Sequence, residues 1–130
     1  MHRRAFLLSA AAAFASPALA SEPRRRSGGQ TFVQLPSLTA NVRRGAGGRR
    51  GILTVDVGLD VPDARLLARA ESLVPRLRAD LFAFLQTYAA GLRPGEPPNP
   101  DVLSTRFQAI VDRTLGARGA RVLIGAMLLN

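Results

Sequence analysis

Hydrophobic and polar positions follow two different rhythms between Gly51 and Gly91, and the change of rhythm marks a change of element. Leu53, Val55, Val57, Leu59 and Val61 alternate with Ile52, Thr54, Asp56, Gly58 and Asp60. That period of two belongs to a strand with one buried face and most of its polar groups outside. Beyond Pro62 the period lengthens. Leu66, Ala70, Leu73, Val74, Leu77, Leu81, Phe84, Leu85 and Tyr88 recur at steps of three, four and one, which lays a single apolar stripe along a helix. Arg65, Arg69, Glu71, Ser72, Arg76, Arg78 and Asp80 take the other side. Substitutions there, Arg69→Ala among them, are expected to cost little. Asp60 and Asp63 flank Pro62 as a start signal, and Gly91 is the expected stop. Pro75 removes a backbone donor and presses on the carbonyl of Glu71. An interior Pro costs about 3 kcal/mol against Ala. Because the apolar spacing stays in phase across it, the pattern predicts one long helix over 62–90, bent at Pro75 and not broken.

The flanking segments are shorter. Thr31 to Val42, TFVQLPSLTANV, holds two brief alternations, Val33 with Leu35 and then Leu38, Ala40 and Val42. Pro36 between them suggests an edge strand or a bend. Arg43 to Arg50, RRGAGGRR, is a Gly-rich turn between two strands, which reads as a hairpin. Leu92 to Pro100, LRPGEPPNP, is a loop. Asp101 is a candidate cap for a second helix with Leu103, Phe107, Ile110, Val111 and Leu115 on one face and Gly116 at its end. The last run, RVLIGAMLL from Arg121, is almost wholly apolar and suits a strand covered on both faces. The expected fold class is α+β: a small antiparallel-dominated sheet packed by one long, Pro-bent helix and a second, shorter helix.

The N-terminus is read as a targeting signal and not as fold. His2-Arg3-Arg4-Ala5-Phe6-Leu7-Leu8 combines a charged start with an apolar run. An Ala-rich stretch, Pro17 and the small-residue site Ala18-Leu19-Ala20 follow. These are the parts of an export signal over residues 1–20, cleaved after Ala20. The run is shorter than the roughly 20 apolar residues that span a bilayer. The arginine pair resembles a twin-arginine translocation signal, and an ordinary secretory signal also accommodates it. Residues 21–30, SEPRRRSGGQ, have the composition of a disordered tether. Residues 31–130 then form one domain with a single core.

Composition narrows the chemistry. All 18 basic residues are arginine and face 9 acids, for a formal charge of +9. Without Arg3 and Arg4, 16 arginines face the same 9 acids, or +7. There is no cysteine, and the single histidine is His2, inside the export signal. Serine, threonine and cysteine nucleophiles generally need a base such as histidine, and zinc and most transition metals rely on histidine and cysteine. No catalytic, cofactor-binding or metal site is therefore assigned. Asp56, Asp60 and Asp63 are close in sequence, but a calcium ion wants six or more oxygens. The first two are read as solvent-facing strand residues and the third as a helix start. RRGAGGRR matches neither phosphate-binding glycine fingerprint. Arg43, Arg44, Arg49 and Arg50 are the candidate binding residues, suited to an acidic protein surface or anionic lipid headgroups. Nucleic acid is not expected as a partner, since export removes the chain from it and one Tyr with no Trp offers little for bases to stack on.

Several of these segments together carry a resemblance. FVQLPSLTANV, the basic turn, ILTVDVGLDV, LVPRLRADLFAFL and VLIGAMLLN are similar to the flagellar basal-body-associated FliL family. Leu35, Asn41 and Val42 take the positions of that family's opening segment. Pro75, Leu77, Arg78 and Asp80 take those of its central helix motif, with Ala79 inserted before the acid. The resemblance covers nearly all of the chain after the export signal and rests mostly on core positions. It implies a stomatin-like α+β domain in the periplasm that works without catalysis, by self-association and by contact with flagellar stator units or another envelope protein. Two features depart from the family: a cleavable signal replaces the usual membrane anchor, and the linker between the helices is Pro-rich. The alternative is a soluble periplasmic module of the same fold, directed at an anionic envelope surface and unrelated to motility. Mass spectrometry of the periplasmic protein should find Ser21 at the N-terminus, and Arg3→Lys with Arg4→Lys should block export if the twin-arginine route is used.

Overall fold

A computed structural model of the chain describes residues 31–45 and 47–130. The export signal assigned to residues 1–20 and the tether assigned to residues 21–30 lie outside them. The element order is β1 (Phe32–Gln34), β2 (Leu38–Arg44), β3 (Arg49–Asp60), α1 (Ala64–Ser72), α2 (Val74–Gly91), α3 (Pro100–Leu115) and β4 (Arg121–Leu129). All pairings are antiparallel and all involve β3. β1 and β2 run end to end along one side of it, and β4 runs along the other. The α+β class read from the sequence is the class observed.

β3 holds the centre because its alternation buries a whole face. Leu53, Val55, Val57 and Leu59 have no exposed surface, and Val61 continues the series just past the strand. Leu38, Ala40 and Val42 of β2 bury on the same side. Pro36 breaks the edge strand as expected. Leu35 bridges the break by donating its N–H to the Val57 carbonyl at 3.0 Å, and Val33 and Leu35 are buried beside it. On the outer face the Phe32 ring lies against Gly58 so closely that a methyl group there would overlap it. An aromatic ring placed over a strand glycine covers backbone that the missing side chain leaves bare.

The helical stripe also packs on the inner face, in the phase its spacing implied. Leu66, Ala70, Leu77, Leu81, Leu85 and Ala89 are buried, with Leu73, Val74, Phe84 and Tyr88 partly buried against them. The expected single bent helix is instead two helices. Leu73 leaves helical geometry at φ −101° and ψ 10°, and α2 begins at Val74 with Pro75 in its first turn. A first-turn Pro forgoes no hydrogen bond, because those N–H groups have no intrahelical partner. The break thus removes the penalty that a continuous helix would carry at Pro75. The two helices meet at Leu73, whose N–H reaches back to Arg69 and whose carbonyl accepts from Leu77 N–H, so a single non-helical residue separates them and the stripe stays in phase.

The other helix ends follow their caps, with two corrections. Asp63 accepts from the Leu66 N–H at 2.9 Å and starts α1. Asn99, not Asp101, caps α3, with Pro100 and Asp101 in the first turn. Gly91 is the last residue of α2 and not its stop. The chain turns extended at Leu92, whose N–H reaches back to Ala89. Gly116 ends α3 in the left-handed conformation, φ 72°, that glycine adopts without strain.

The C-terminal strand departs most from expectation. Within β4 only Val122 is buried, and Leu128 and Leu129 are 54% and 39% exposed. The helices cover the inner face of the sheet and nothing among the described residues covers the outer face at β4; the strand also pairs with β3 alone among them, so the apolar run is an edge strand with one open face.

Arg69 also has a task that the polar-side reading missed. Its Nε donates to the Leu115 carbonyl at 2.8 Å, tying α1 to the C-terminal end of α3. Positive charge is favoured at that end of a helix. Arg69→Ala should therefore cost about 1–2 kcal/mol, whereas Arg65→Ala should cost less than about 0.5 kcal/mol. Leu77→Ala should cost about 2–5 kcal/mol. Denaturant unfolding of the three variants checks the order; equal losses for the two arginines would mean that the Arg69 bond contributes nothing.

Candidate functional site

The four arginines singled out from the sequence come together, but not at the tip of the turn. Arg43 and Arg44 end β2, Arg49 and Arg50 begin β3, and Gly45, Ala46, Gly47 and Gly48 make the connection. Gly45 and Gly48 have φ of 62° and 63°, and the Gly48 N–H closes the turn on the Gly45 carbonyl at 3.2 Å. Both need the left-handed region, and glycine enters it at little cost. The hairpin register then sets Arg43 opposite Arg50 and Arg44 opposite Arg49.

Like charges directly across an antiparallel pair repel. All four arginines are exposed, and no ion pair among the described residues involves any of them. The arginines stand on alternate faces. Arg43 and Arg50 extend the outer face, and Arg44 and Arg49 extend the inner one. The aliphatic stem of Arg44 lies against Gly51, beside the Asn130 carbonyl, so closely that a side chain at Gly51 would collide with both. Only glycine fits there without displacing backbone.

A groove of about 540 Å³ runs between the hairpin and the end of α2. Arg43, Arg50 and Asn41 line one side, with Ala89, Leu92 and Pro94 opposite. The groove keeps its shape because the loop after α2 is pinned on both flanks. Gly95 N–H donates to the Arg43 carbonyl at 3.2 Å, and the Tyr88 hydroxyl accepts from Asn99 N–H at 2.8 Å. Within the loop, Arg93 N–H donates to a Glu96 carboxylate oxygen at 2.7 Å. The Pro-rich linker is thus a fixed wall and belongs to the site, which its composition did not disclose. The result is a basic and partly apolar depression, able to take a carboxylate-bearing chain by forked arginine hydrogen bonds.

The three aspartates weighed for a cation take separate places. Asp56 accepts the Ser37 hydroxyl, Asp60 sits opposite Phe32 and Arg121, and Asp63 caps α1. No group of three or more potential metal ligands occurs among the described residues, and no helix among them is long and apolar enough to cross a membrane. In comparisons with known proteins, no family model and no curated protein matches the chain.

The opposed arginines make a stability prediction of their own. Arg50→Glu sets a carboxylate across from Arg43, exchanging a repulsive pair for an attractive one. This should raise stability by about 0.5–1 kcal/mol at low salt. The unsubstituted protein should itself gain stability as salt screens the arginines. Thermal melts at low and high ionic strength check both; a variant that melts lower would show that the guanidinium groups do not oppose one another.

Proposed function

We propose that this chain is a non-enzymatic accessory domain of the FliL-like kind, exported to the periplasm, which works by contact with an acidic protein surface through its basic hairpin. The observation that carries the reading is the pair of directly opposed arginines, Arg43 with Arg50 and Arg44 with Arg49, none of them in an ion pair among the described residues. Such an arrangement weakens the free hairpin and becomes favourable once carboxylates sit between the guanidinium groups. A protein partner suits the site better than a bilayer. The connection is Gly-Ala-Gly-Gly, with no aromatic or large apolar side chain to enter lipid, and beside it lies a groove with apolar walls at Ala89, Leu92 and Pro94. Catalysis has no part in this proposal: apart from His2 the chain has no histidine, and it has no cysteine.

The test replaces Arg43, Arg44, Arg49 and Arg50 together by Ser. Melting should match that of the starting protein or rise slightly, since two repulsive pairs are removed. Recovery of bound protein from envelope extracts should fall, most of all at low ionic strength, where steering by charge is strongest. Equal recovery at every salt concentration would mean that the hairpin is only solvated. Binding to phosphatidylglycerol vesicles with no salt-sensitive protein capture would move the reading to an anionic envelope surface.

A further inference from the structure

The sheet has two edges, and the chain treats them differently. Alternation along β3 sends the backbone groups of Val57 and Val61 toward β1 and its flanks, where they bond Leu35 and Thr31. The groups of Ile52 point the other way and exchange both hydrogen bonds with Asn130. By the same alternation β2 turns Thr39, Asn41 and Arg43 outward, and this edge is occupied. Gln86 Nε2 donates to the Thr39 carbonyl at 2.7 Å, and Gly95 N–H donates to that of Arg43.

On β4 the outward groups are read from the register. Arg121, Leu123 and Leu128 face β3 at Asp60, Gly58 and Thr54. Between Ile124, opposite Val57, and Met127, opposite Val55, β4 carries one extra residue, a bulge at Gly125 and Ala126. The outward positions are therefore Val122, Ile124, Met127 and Leu129. Gln108 covers only the first, accepting from the Val122 N–H at 2.9 Å and donating to the Ala120 carbonyl at 2.7 Å. Beyond it β4 pairs with β3 alone among the described residues. From Val122 to Leu129 it contains no charge and no proline, the usual protections of an exposed edge.

We propose that β4 is a self-association edge that pairs antiparallel with β4 of a second copy, about a two-fold axis at Gly125 and Ala126. The bulge is what makes the strand complementary to itself. Its outward positions lie symmetrically about that axis, so Ile124 meets Met127 of the second copy in each of two equivalent places, while Val122, whose N–H is already held by Gln108, comes opposite Leu129 with only its carbonyl free. Ile124 and Met127 both point their backbone groups outward and their side chains to the inner face. Leu123 then meets Leu128 on the outer face. Without the extra residue, the members of each pair would belong to opposite faces. The axis falls on the two smallest side chains of the strand, where backbones approach most easily. Charge agrees. The protein is strongly basic, so two copies repel, yet this pairing brings together a neutral stretch and leaves the two Arg121 residues at opposite ends. The chain's own residues 21–30, SEPRRRSGGQ, with a proline, two glycines and three arginines, are poorly suited to add a strand here. The proposal is independent of the hairpin reading.

The chain has no cysteine, so a register test is clean. Full-length protein carrying Leu123→Cys, mixed with protein carrying Leu128→Cys, should form a disulfide-linked pair on oxidation, because those positions are cross-strand neighbours. Either variant oxidised alone should cross-link far less. Analytical ultracentrifugation over a dilution series should show a reversible dimer. Leu128→Lys should weaken it about tenfold, and adding Leu123→Glu to the same chain should restore most of the loss. Circular dichroism melts confirm that each variant is folded. A folded wild-type protein that stays monomeric throughout the series overturns the proposal. So does a cross-link that forms as readily within one variant as between the two.

Discussion

Leu53, Val55, Val57 and Leu59 are fully buried on one face of a strand that every other strand must pair with, and this is the constraint on which the rest depends. Burying each side chain contributes about 1.5–3 kcal/mol, and the gain is realised only if an apolar surface closes over them. The stripe of α1 and α2 and the apolar face of α3 provide it. Phe107 is fully buried and meets Phe84 edge-on at 5.9 Å, Phe84 stacks with Tyr88 at 6.0 Å, and Tyr88 in turn holds the linker through Asn99. One chain of contacts thus runs from the core to the wall of the basic groove.

Polar groups are used sparingly and at joints. No polar side chain is buried without a hydrogen bond among the described residues. The side-chain bonds that matter fix one element to another: Arg69 to the end of α3, Thr114 to Asp80 between α3 and α2, Gln86 to the edge of β2, and Gln108 to the start of β4. Charge is kept off the core and gathered where the hairpin leaves it. Such a division suits a protein that acts through its surface: the fold tolerates the repulsion among the arginines because the apolar face of β3 does not depend on them.

Period and turn chemistry are local, and what depended on them was legible in the sequence. The alternation at 52–61, the stripe from Leu66 to Tyr88, the interruption at Pro36, the glycine connection and the end of α3 at Gly116 all follow from steric and hydrogen-bonding rules that act within a few residues. The gathering of Arg43, Arg44, Arg49 and Arg50 was legible for the same reason, since a hairpin sets its own register.

Tertiary structure decided what composition leaves open. An apolar run such as RVLIGAMLL states that burial is favourable but not how many neighbours are available, and with β1 and β2 sharing one side of β3 the run became an edge. Pro75 permitted a bend or a break, and the break was possible because a single non-helical residue, Leu73, still lets the stripes of both helices bury in one core. Arg69 looked interchangeable with Arg65 because both lie on the polar side; only the approach of α3, 46 residues along the chain, gave one of them a carbonyl to hold. Local patterns specify faces and turns because those interactions are complete within a short segment. Which face meets a neighbour, and which is left open, depends on where distant segments come to rest.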